Sequence, residues 1–131
     1  MARISGTQGL KTWRGEYDFA VDGGAISTIA LRSNDSPIPA GSYVFEGLME
    51  VLTLFTTGTA AVAALTVEGA NDVVSSTIVS GAPYSTTGIK DIVPALTAAT
   101  IIKTTVDRSP SIVIATGTVT AGKLRLVLFY H

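Results

Sequence analysis

Two apolar runs within residues 37–68 form the longest hydrophobic pattern in the chain. The first run covers residues 42–55 and the second covers residues 60–68, with a Thr-rich segment containing Gly58 between them. Both runs are rich in β-branched, aromatic and aliphatic residues, while glycine and proline mark their turns. This pattern predicts a long β-hairpin.

Alternate residues of a strand point to opposite faces, so the run 42–55 divides into two sets. The odd-numbered set is nearly all apolar and is predicted to face the core: Tyr43, Phe45, Gly47, Met49, Val51, Thr53 and Phe55. The even-numbered set is mixed but ends in Leu52 and Leu54, which a solvated face should not do. Either another part of the chain covers these leucines or a second subunit does. Leu48, Leu52 and Leu54 are therefore the candidate subunit-interface residues.

The remaining apolar runs are also of strand length and are bounded by turn residues. They cover residues 17–21, 25–32, 73–79, 100–106, 111–115 and 123–130, with a long loop at 80–91 and room for a short helical turn at 92–99. Within the last run, Leu124, Leu126, Leu128 and Tyr130 are predicted to face inward. About eight strands without an amphipathic helix predict an all-β fold, as a β-sandwich, jelly roll or small barrel.

A chain of 131 residues has the length of one domain. Residues 1–16 show no strand alternation, so we expect an N-terminal arm at 1–16 and a single β-sandwich domain at 17–131. The arm is interpreted either as a frayed terminus or as a segment that orders on a partner. Arg3, Lys11, Trp13 and Arg14 would suit a partner surface that is acidic and partly apolar.

The amino-acid composition argues against several structural and functional classes. Hydrophobic residues make up 47% of the chain, charged residues 15%, and the net charge is −1, so neither disorder nor a broad nucleic-acid-binding field is indicated. Low charge also does little to keep copies of the chain apart, which permits assembly. There is no cysteine, and no apolar run approaches the length of a membrane span. Since no signal peptide is visible, we expect synthesis in the cytoplasm and no membrane partner.

Two features could suggest catalysis but are better explained otherwise. Residues 117–123 match the first seven positions of a phosphate-binding G-x-x-x-x-G-K loop. The next residue is Leu124 instead of Ser or Thr, and a strand follows where a helix is required, so we predict a turn and no nucleotide. His131 is the only histidine and is terminal, so it lacks the fixed neighbour that a general base needs.

Acidic residues provide no convincing site either. Glu46 and Glu50 lie four residues apart on one strand, about 13 Å between Cα atoms, which favours a solvated or interfacial patch over a glycosidase pair. The pairs Asn34 and Asp35, and Asn71 and Asp72, could in principle hold Ca²⁺, but such residues usually stabilise their own turns. We therefore predict no catalytic residue, no metal and no cofactor.

Three motifs resemble those of small structural proteins of tailed bacteriophages, some of which are capsid decoration (cement) proteins. They are the turn Ile38-Pro39-Ala40-Gly41-Ser42, the Thr-rich hairpin at 56–59 with the apolar run after it, and the closing segment 117–131. The likeness extends from about Ile26 to the end, although the family usually ends in Glu-Tyr-Val and this chain ends in Phe-Tyr-His. The resemblance implies a jelly-roll-like sandwich, commonly a homotrimer, on the outer surface of a phage head. It also implies that the major capsid protein is the partner and that there is no enzymatic activity.

Decoration of a capsid is the first hypothesis, with the virion surface as the location. The alternative is a phage tail, fibre or baseplate module with carbohydrate or receptor binding, and a cellular lectin-type module comes third. Exposed aromatic residues near loops would favour the alternative, and Tyr84 is its only good candidate.

Overall fold

The computed structural model describes residues 10–92 and 101–131. In these ranges the elements are β1 (Lys11–Asp18), α1 (Phe19–Asp22), β2 (Ser27–Ala30), β3 (Tyr43–Thr57), β4 (Val62–Thr66), β5 (Val74–Ile78), β6 (Gly88–Ile92), β7 (Ile102–Lys103), β8 (Ser111–Ala115) and β9 (Val119–Tyr130). No helix in them is long and apolar enough to cross a membrane.

The strand pairing is that of a jelly roll. With the two-residue β7 set aside, the first strand pairs with the last, the second with the next to last, and so on inward: β1 with β9, β2 with β8, β3 with β6 and β4 with β5, all antiparallel. These four pairs form one long two-stranded ribbon, which folds over on itself and is closed by two further pairings, β3 with β9 and β4 with β8. The result is two stacked sheets, β1-β9-β3-β6 with β7 beside β3, and β2-β8-β4-β5. The prediction of an all-β sandwich of jelly-roll type is confirmed.

The core lies between the two sheets and follows the period-2 pattern of the longest strands. Leu124, Leu126 and Leu128 of β9 are completely buried, and Tyr130 is 9% exposed, as the alternation predicted. Ile112 and Ile114 of β8 close the core from the opposite sheet. Because each strand alternates, the residues between these buried positions form the outer faces of the sandwich.

Bulges in β3 change its alternation, so the prediction for its odd-numbered face is only partly right. Met49, Val51 and Phe55 are buried as expected, but Tyr43 and Thr53 are exposed and Val44 is buried. One extra residue of β3 stands opposite β9 between Val44 and Glu46, and another between Val51 and Thr53. Each extra residue shifts the later side chains to the other face.

The N-terminal arm predicted at 1–16 is wrong for residues 11–16, which belong to the edge strand β1 of the sandwich. Trp13 is 1% exposed and pairs in register with Leu128, while Tyr17 is fully buried opposite Leu124. The positions of β1 between these buried residues are glycine or polar residues, so the alternation could not be recognised from the sequence. Arg3 lies outside the described residues.

Three other boundaries differ from the prediction. The loop expected at 80–91 contains β6, whose sequence Gly-Ile-Lys-Asp-Ile has no clear alternation of apolar and polar residues. The strand expected at 17–21 ends at Asp18, because the Asp18 carboxylate accepts a hydrogen bond from the backbone N–H of Ala20 and caps α1. Of the run expected at 100–106, the described residues 101–106 contain only the two-residue strand Ile102–Lys103. Apart from Ile92 in β6, the helical turn expected at 92–99 lies outside the described residues.

Candidate interaction surface

The outer face of the β1 sheet, opposite the core, combines apolar and charged side chains in rows across its strands. Residues paired in register share a face, so the rows follow directly from the pairing. One row is Arg14, Val127, Leu48 and Asp91, and the next is Glu16, Arg125, Glu50 and Ile89. Each row crosses four strands in the order β1, β9, β3 and β6.

Two adjoining depressions make this face concave. One has a volume of about 250 Å³ and is lined by Arg14, Leu48, Glu50, Ile89, Arg125 and Val127. The other, about 410 Å³, lies between β1, β9 and the loop of residues 32–35. Arg14, Arg125 and Val127 line both. We call the continuous depression the outer groove.

The 32–35 loop forms a fixed wall of the outer groove because it is bonded to the edge of β1. The backbone of Arg32 exchanges hydrogen bonds of 2.9 and 3.0 Å with that of Glu16. The backbone N–H of Arg14 donates to the Asp35 carboxylate at 2.8 Å, and the Ser33 hydroxyl donates to the Arg14 carbonyl. These bonds cover an otherwise unpaired sheet edge. They also bind the Asp35 carboxylate to the backbone of β1 instead of to its own turn, so the turn interpretation of Asn34 and Asp35 stays a prediction.

The charges along the outer groove are unevenly paired. The Lys123 ammonium lies 3.8 Å from the Glu16 carboxylate, and Arg32 pairs with Asp22 at 2.9 Å. Within residues 10–92 and 101–131, the guanidinium groups of Arg14 and Arg125 make no hydrogen bond or ion pair. They are diagonal neighbours on adjacent strands, with Cβ atoms about 7 Å apart. The groove therefore carries two adjacent guanidinium groups that form no ion pair among the described residues, although Glu16 and Glu50 are the in-register neighbours of Arg125.

The three predicted interface leucines do not form one patch. Leu48 is 36% exposed in the outer groove, whereas Leu54 is 43% exposed about 20 Å farther along β3. Leu52 is the extra residue of a bulge and is half-buried. Cover by another part of the chain is not found among the described residues, which leave Leu48 and Leu54 substantially exposed. Their role as a subunit interface stays a prediction.

The predicted docking residues are also separated by the fold. Trp13 is in the core, so the prediction that it contacts a partner surface is wrong. Lys11 is exposed at the start of β1, and Arg14 lines the outer groove. For Lys11, and for Arg3 outside the described residues, docking stays a prediction.

The loop-borne aromatic candidate for carbohydrate binding is also buried. Tyr84 is 0% exposed, and its hydroxyl donates to the Ala63 carbonyl at 3.2 Å. Burial raises the pKa of the Tyr84 hydroxyl. The interpretation of Tyr84 as an exposed binding aromatic is therefore wrong, and its role is to fill the space between Phe55 and the second sheet.

The remaining candidates have structural explanations. The turn predicted at residues 117–123 is shorter than expected, because β9 already begins at Val119. Gly122 lies within this strand with φ +148° beneath the Phe55 ring, so no helix follows the glycine-rich segment. The Asp72 carboxylate accepts hydrogen bonds from the backbone N–H groups of Val67, Glu68 and Gly69, which agrees with the turn interpretation. No group of three metal-ligating side chains occurs among the residues that the structure describes.

The last two candidates lie at the surface. Glu46 and Glu50 are half-buried in different rows of the outer face, opposite Phe129 and Arg125 of β9. His131 pairs through its backbone with Tyr43, and its ring lies 5.4 Å from that of Phe45 in an edge-to-face arrangement.

Sequence reasoning missed Arg125, Val127 and Ile89 as site residues. Alternation in β9 identified Arg125 and Val127 as outward-facing, but nothing local showed that Arg14 would lie beside them. Ile89, 69% exposed, was assigned to a loop because β6 lacks a recognisable strand pattern.

Comparison with known proteins supports the fold assignment. No protein-family model and no curated protein sequence matches the chain. Among solved structures, a chain of the cyanophage Pam1 capsid asymmetric unit matches with a TM-score of 0.62 and 17% identity, over 99% of this chain and 98% of that one. A chain of the capsid of Ralstonia phage GP4 gives 0.63 and 17%, over 99% and 87%.

The acidic stable capsid structure of Helicobacter pylori bacteriophage KHP30 contains a third similar chain. It matches with a TM-score of 0.60 and 12% identity, over 92% of this chain and 86% of that one. All three identities are low, so the likeness concerns the fold. At that level, the resemblance to phage structural proteins drawn from the sequence motifs is confirmed.

Proposed function

We propose that the chain is a structural protein of a phage virion, specifically a capsid decoration protein. It would bind the outer surface of the head and stabilise the lattice of the major capsid protein. The observation that carries this proposal is the jelly-roll fold shared with chains of three phage capsid structures. The Pam1 match covers almost the whole of both chains, so the shared fold includes all the strands of this domain.

Many weak, repeated contacts suit this role because their strengths combine when they are made together. We propose a homotrimer whose subunit contact includes Leu54, with Leu52 beside it, since Leu54 is 43% exposed. In solution, light scattering should then give three times the mass of one chain. Leu54→Asp should shift the protein toward monomers, because a charge at a buried contact is costly to desolvate. A wild-type monomer at micromolar concentration would contradict the oligomer.

The decisive experiment locates and counts the protein in the particle. Heads assembled with and without the chain are compared by cryo-electron microscopy and by quantitative gel electrophoresis. A decoration protein should give many copies per head, arranged with the symmetry of the capsid lattice. Heads without it should release their DNA at lower temperature and recover when the purified chain is added back. A few copies confined to the tail would instead support the tail, fibre or baseplate alternative.

A further inference from the structure

The outer groove has a polar centre with a defined position. Arg14 and Arg125 line both of its depressions, with Val127 between them in the register. Two guanidinium groups at this separation repel each other, and the described residues supply neither with an ion pair. A carboxylate placed between them would relieve the repulsion and could accept two hydrogen bonds from either guanidinium.

Apolar side chains continue from this centre along the groove. Leu48 and Val127 form the floor, and Ile89 is 69% exposed at the far edge on β6. Arg125 and Ile89 share a row and are separated by β3, which corresponds to about 10 Å. An extended segment crossing the sheet spans that distance in about three residues. Because alternate residues of an extended segment share a face, the groove thus fits a segment with an acidic residue and an apolar residue two or four positions apart.

The acidic residues of the groove exclude a polyanion. Glu16 and Glu50 flank Arg125 in its row, and Asp35 lies in the wall. The charge of Glu16 is partly offset by Lys123 at 3.8 Å, but Glu50 has no such partner among the described residues. A nucleic acid would place a charge near each of these carboxylates, whereas a protein segment with one carboxylate need only meet the two arginines. The observations therefore favour a protein segment.

We propose that the outer groove is the docking site for an extended segment of the major capsid protein. The segment would place one Asp or Glu between Arg14 and Arg125 and an apolar side chain against Leu48 and Ile89. This inference rests on the proposed function. The wall of the groove is held by backbone hydrogen bonds to β1, so the site is formed before the partner binds.

The test measures binding of the fluorescently labelled full chain to purified heads assembled without it. Arg14→Gln/Arg125→Gln removes both positive charges and adds no new negative charge beside Glu16 and Glu50. We expect binding to weaken about tenfold or more, since losing a desolvated charge pair is costly. Ile89→Ser should weaken binding less. Lys90→Gln is the matched control, because it removes a positive charge from the same strand as Ile89, where its register partner Met49 faces the core. It should bind like the wild type.

Other outcomes separate the inference from the proposed function. If the wild type does not bind heads, the decoration role itself fails. If the wild type binds and the double glutamine variant binds within about twofold, the groove assignment is wrong while the decoration role stands. If Lys90→Gln weakens binding to heads as much as the double variant does, the effect is one of general charge, and the groove assignment is also wrong. Loss of self-association by the double variant in light scattering would mean that the groove's occupant is a second copy of this chain.

The variants should fold normally, because neither guanidinium has a hydrogen-bond partner among the described residues. Thermal melting verifies this before binding is measured. If the double variant melts early, the single variants Arg14→Gln and Arg125→Gln replace it. Each is then expected to weaken binding at least threefold, and no change in either would refute the proposal.

Discussion

Replacing Trp13 tests whether the beginning of the chain belongs to the core or forms an arm. The Trp13 side chain is 1% exposed and lies over Gly15, where an added Cβ would be 2.7 Å from its Cζ3 atom. Truncating a buried Trp to Ala removes its apolar contacts and leaves a cavity, which costs about 3–5 kcal/mol. Domains of this size are stable by about 5–15 kcal/mol, so Trp13→Ala should remove a large fraction of the total.

Thermal unfolding followed by far-ultraviolet circular dichroism measures this effect. At about 3–5 °C per kcal/mol for a chain of this length, Trp13→Ala should lower the melting temperature by roughly 10–20 °C. Arg14→Ala is the control from the same strand, since its side chain is on the outer face, and it should cost at most about 0.5 kcal/mol. Deleting residues 1–16 should cost more than Trp13→Ala, because it also removes six of the eight β1 residues that pair with β9, Lys11 to Glu16.

A small effect would refute this reasoning. If Trp13→Ala and the deletion of residues 1–16 both melt within about 3 °C of the wild type, β1 contributes little to folding. The segment would then behave as the arm that its sequence suggests. Trp13 is the only tryptophan, so its fluorescence provides a second measurement. Its emission should shift to longer wavelength in the same transition that circular dichroism detects.

Three further predictions concern stability. The Arg108 guanidinium lowers the pKa of Glu68 to about 2, from 4.5. This pair should therefore stabilise the fold fully above pH 4.5 and lose its contribution as pH falls toward 2; Glu68→Gln should reduce that dependence in urea unfolding at pH 7 and 3. Asp72→Ala leaves three backbone N–H groups without their acceptor and should cost about 1–3 kcal/mol in the same assay. Gly122→Ala should lower the melting temperature, because of its φ of +148° and its contact with an aromatic ring, whereas Gly58→Ala has open space around it.

Each of these predictions has a further outcome that tests it. An unchanged difference in stability between pH 7 and pH 3 in Glu68→Gln would show that other groups dominate the acid response. For Asp72, Asp72→Asn keeps one acceptor oxygen and should lie between the wild type and the alanine variant. Equal melting temperatures for the two glycine variants would show that the close approach at Gly122 is easily relieved.

The local pattern of the sequence determined the fold class and much of the core. Period-2 alternation of apolar residues is a property of neighbouring positions, so Leu124, Leu126 and Leu128 could be assigned to the inside without knowledge of their partners. The same pattern marked Arg125 and Val127 as outward-facing. The positions of glycine and proline predicted most of the turns, because turn preference is also a local property of the sequence. The chemistry of Asp72 could also be interpreted locally, because its carboxylate bonds to backbone groups three to five residues away.

Only the tertiary structure decided which distant segments lie side by side. β1 is a strand because Trp13 and Tyr17 pack opposite β9, more than a hundred residues later, and its glycine and polar positions carry no local signal of this. The bulges in β3 depend on its pairing with β9, which is why a strict alternation rule failed at Tyr43. The outer groove arises for the same reason: Arg14 and Arg125 become neighbours when the first and last strands pair. Pairing energy between strands far apart in sequence is not encoded in any short window, so the groove exists only in the folded chain.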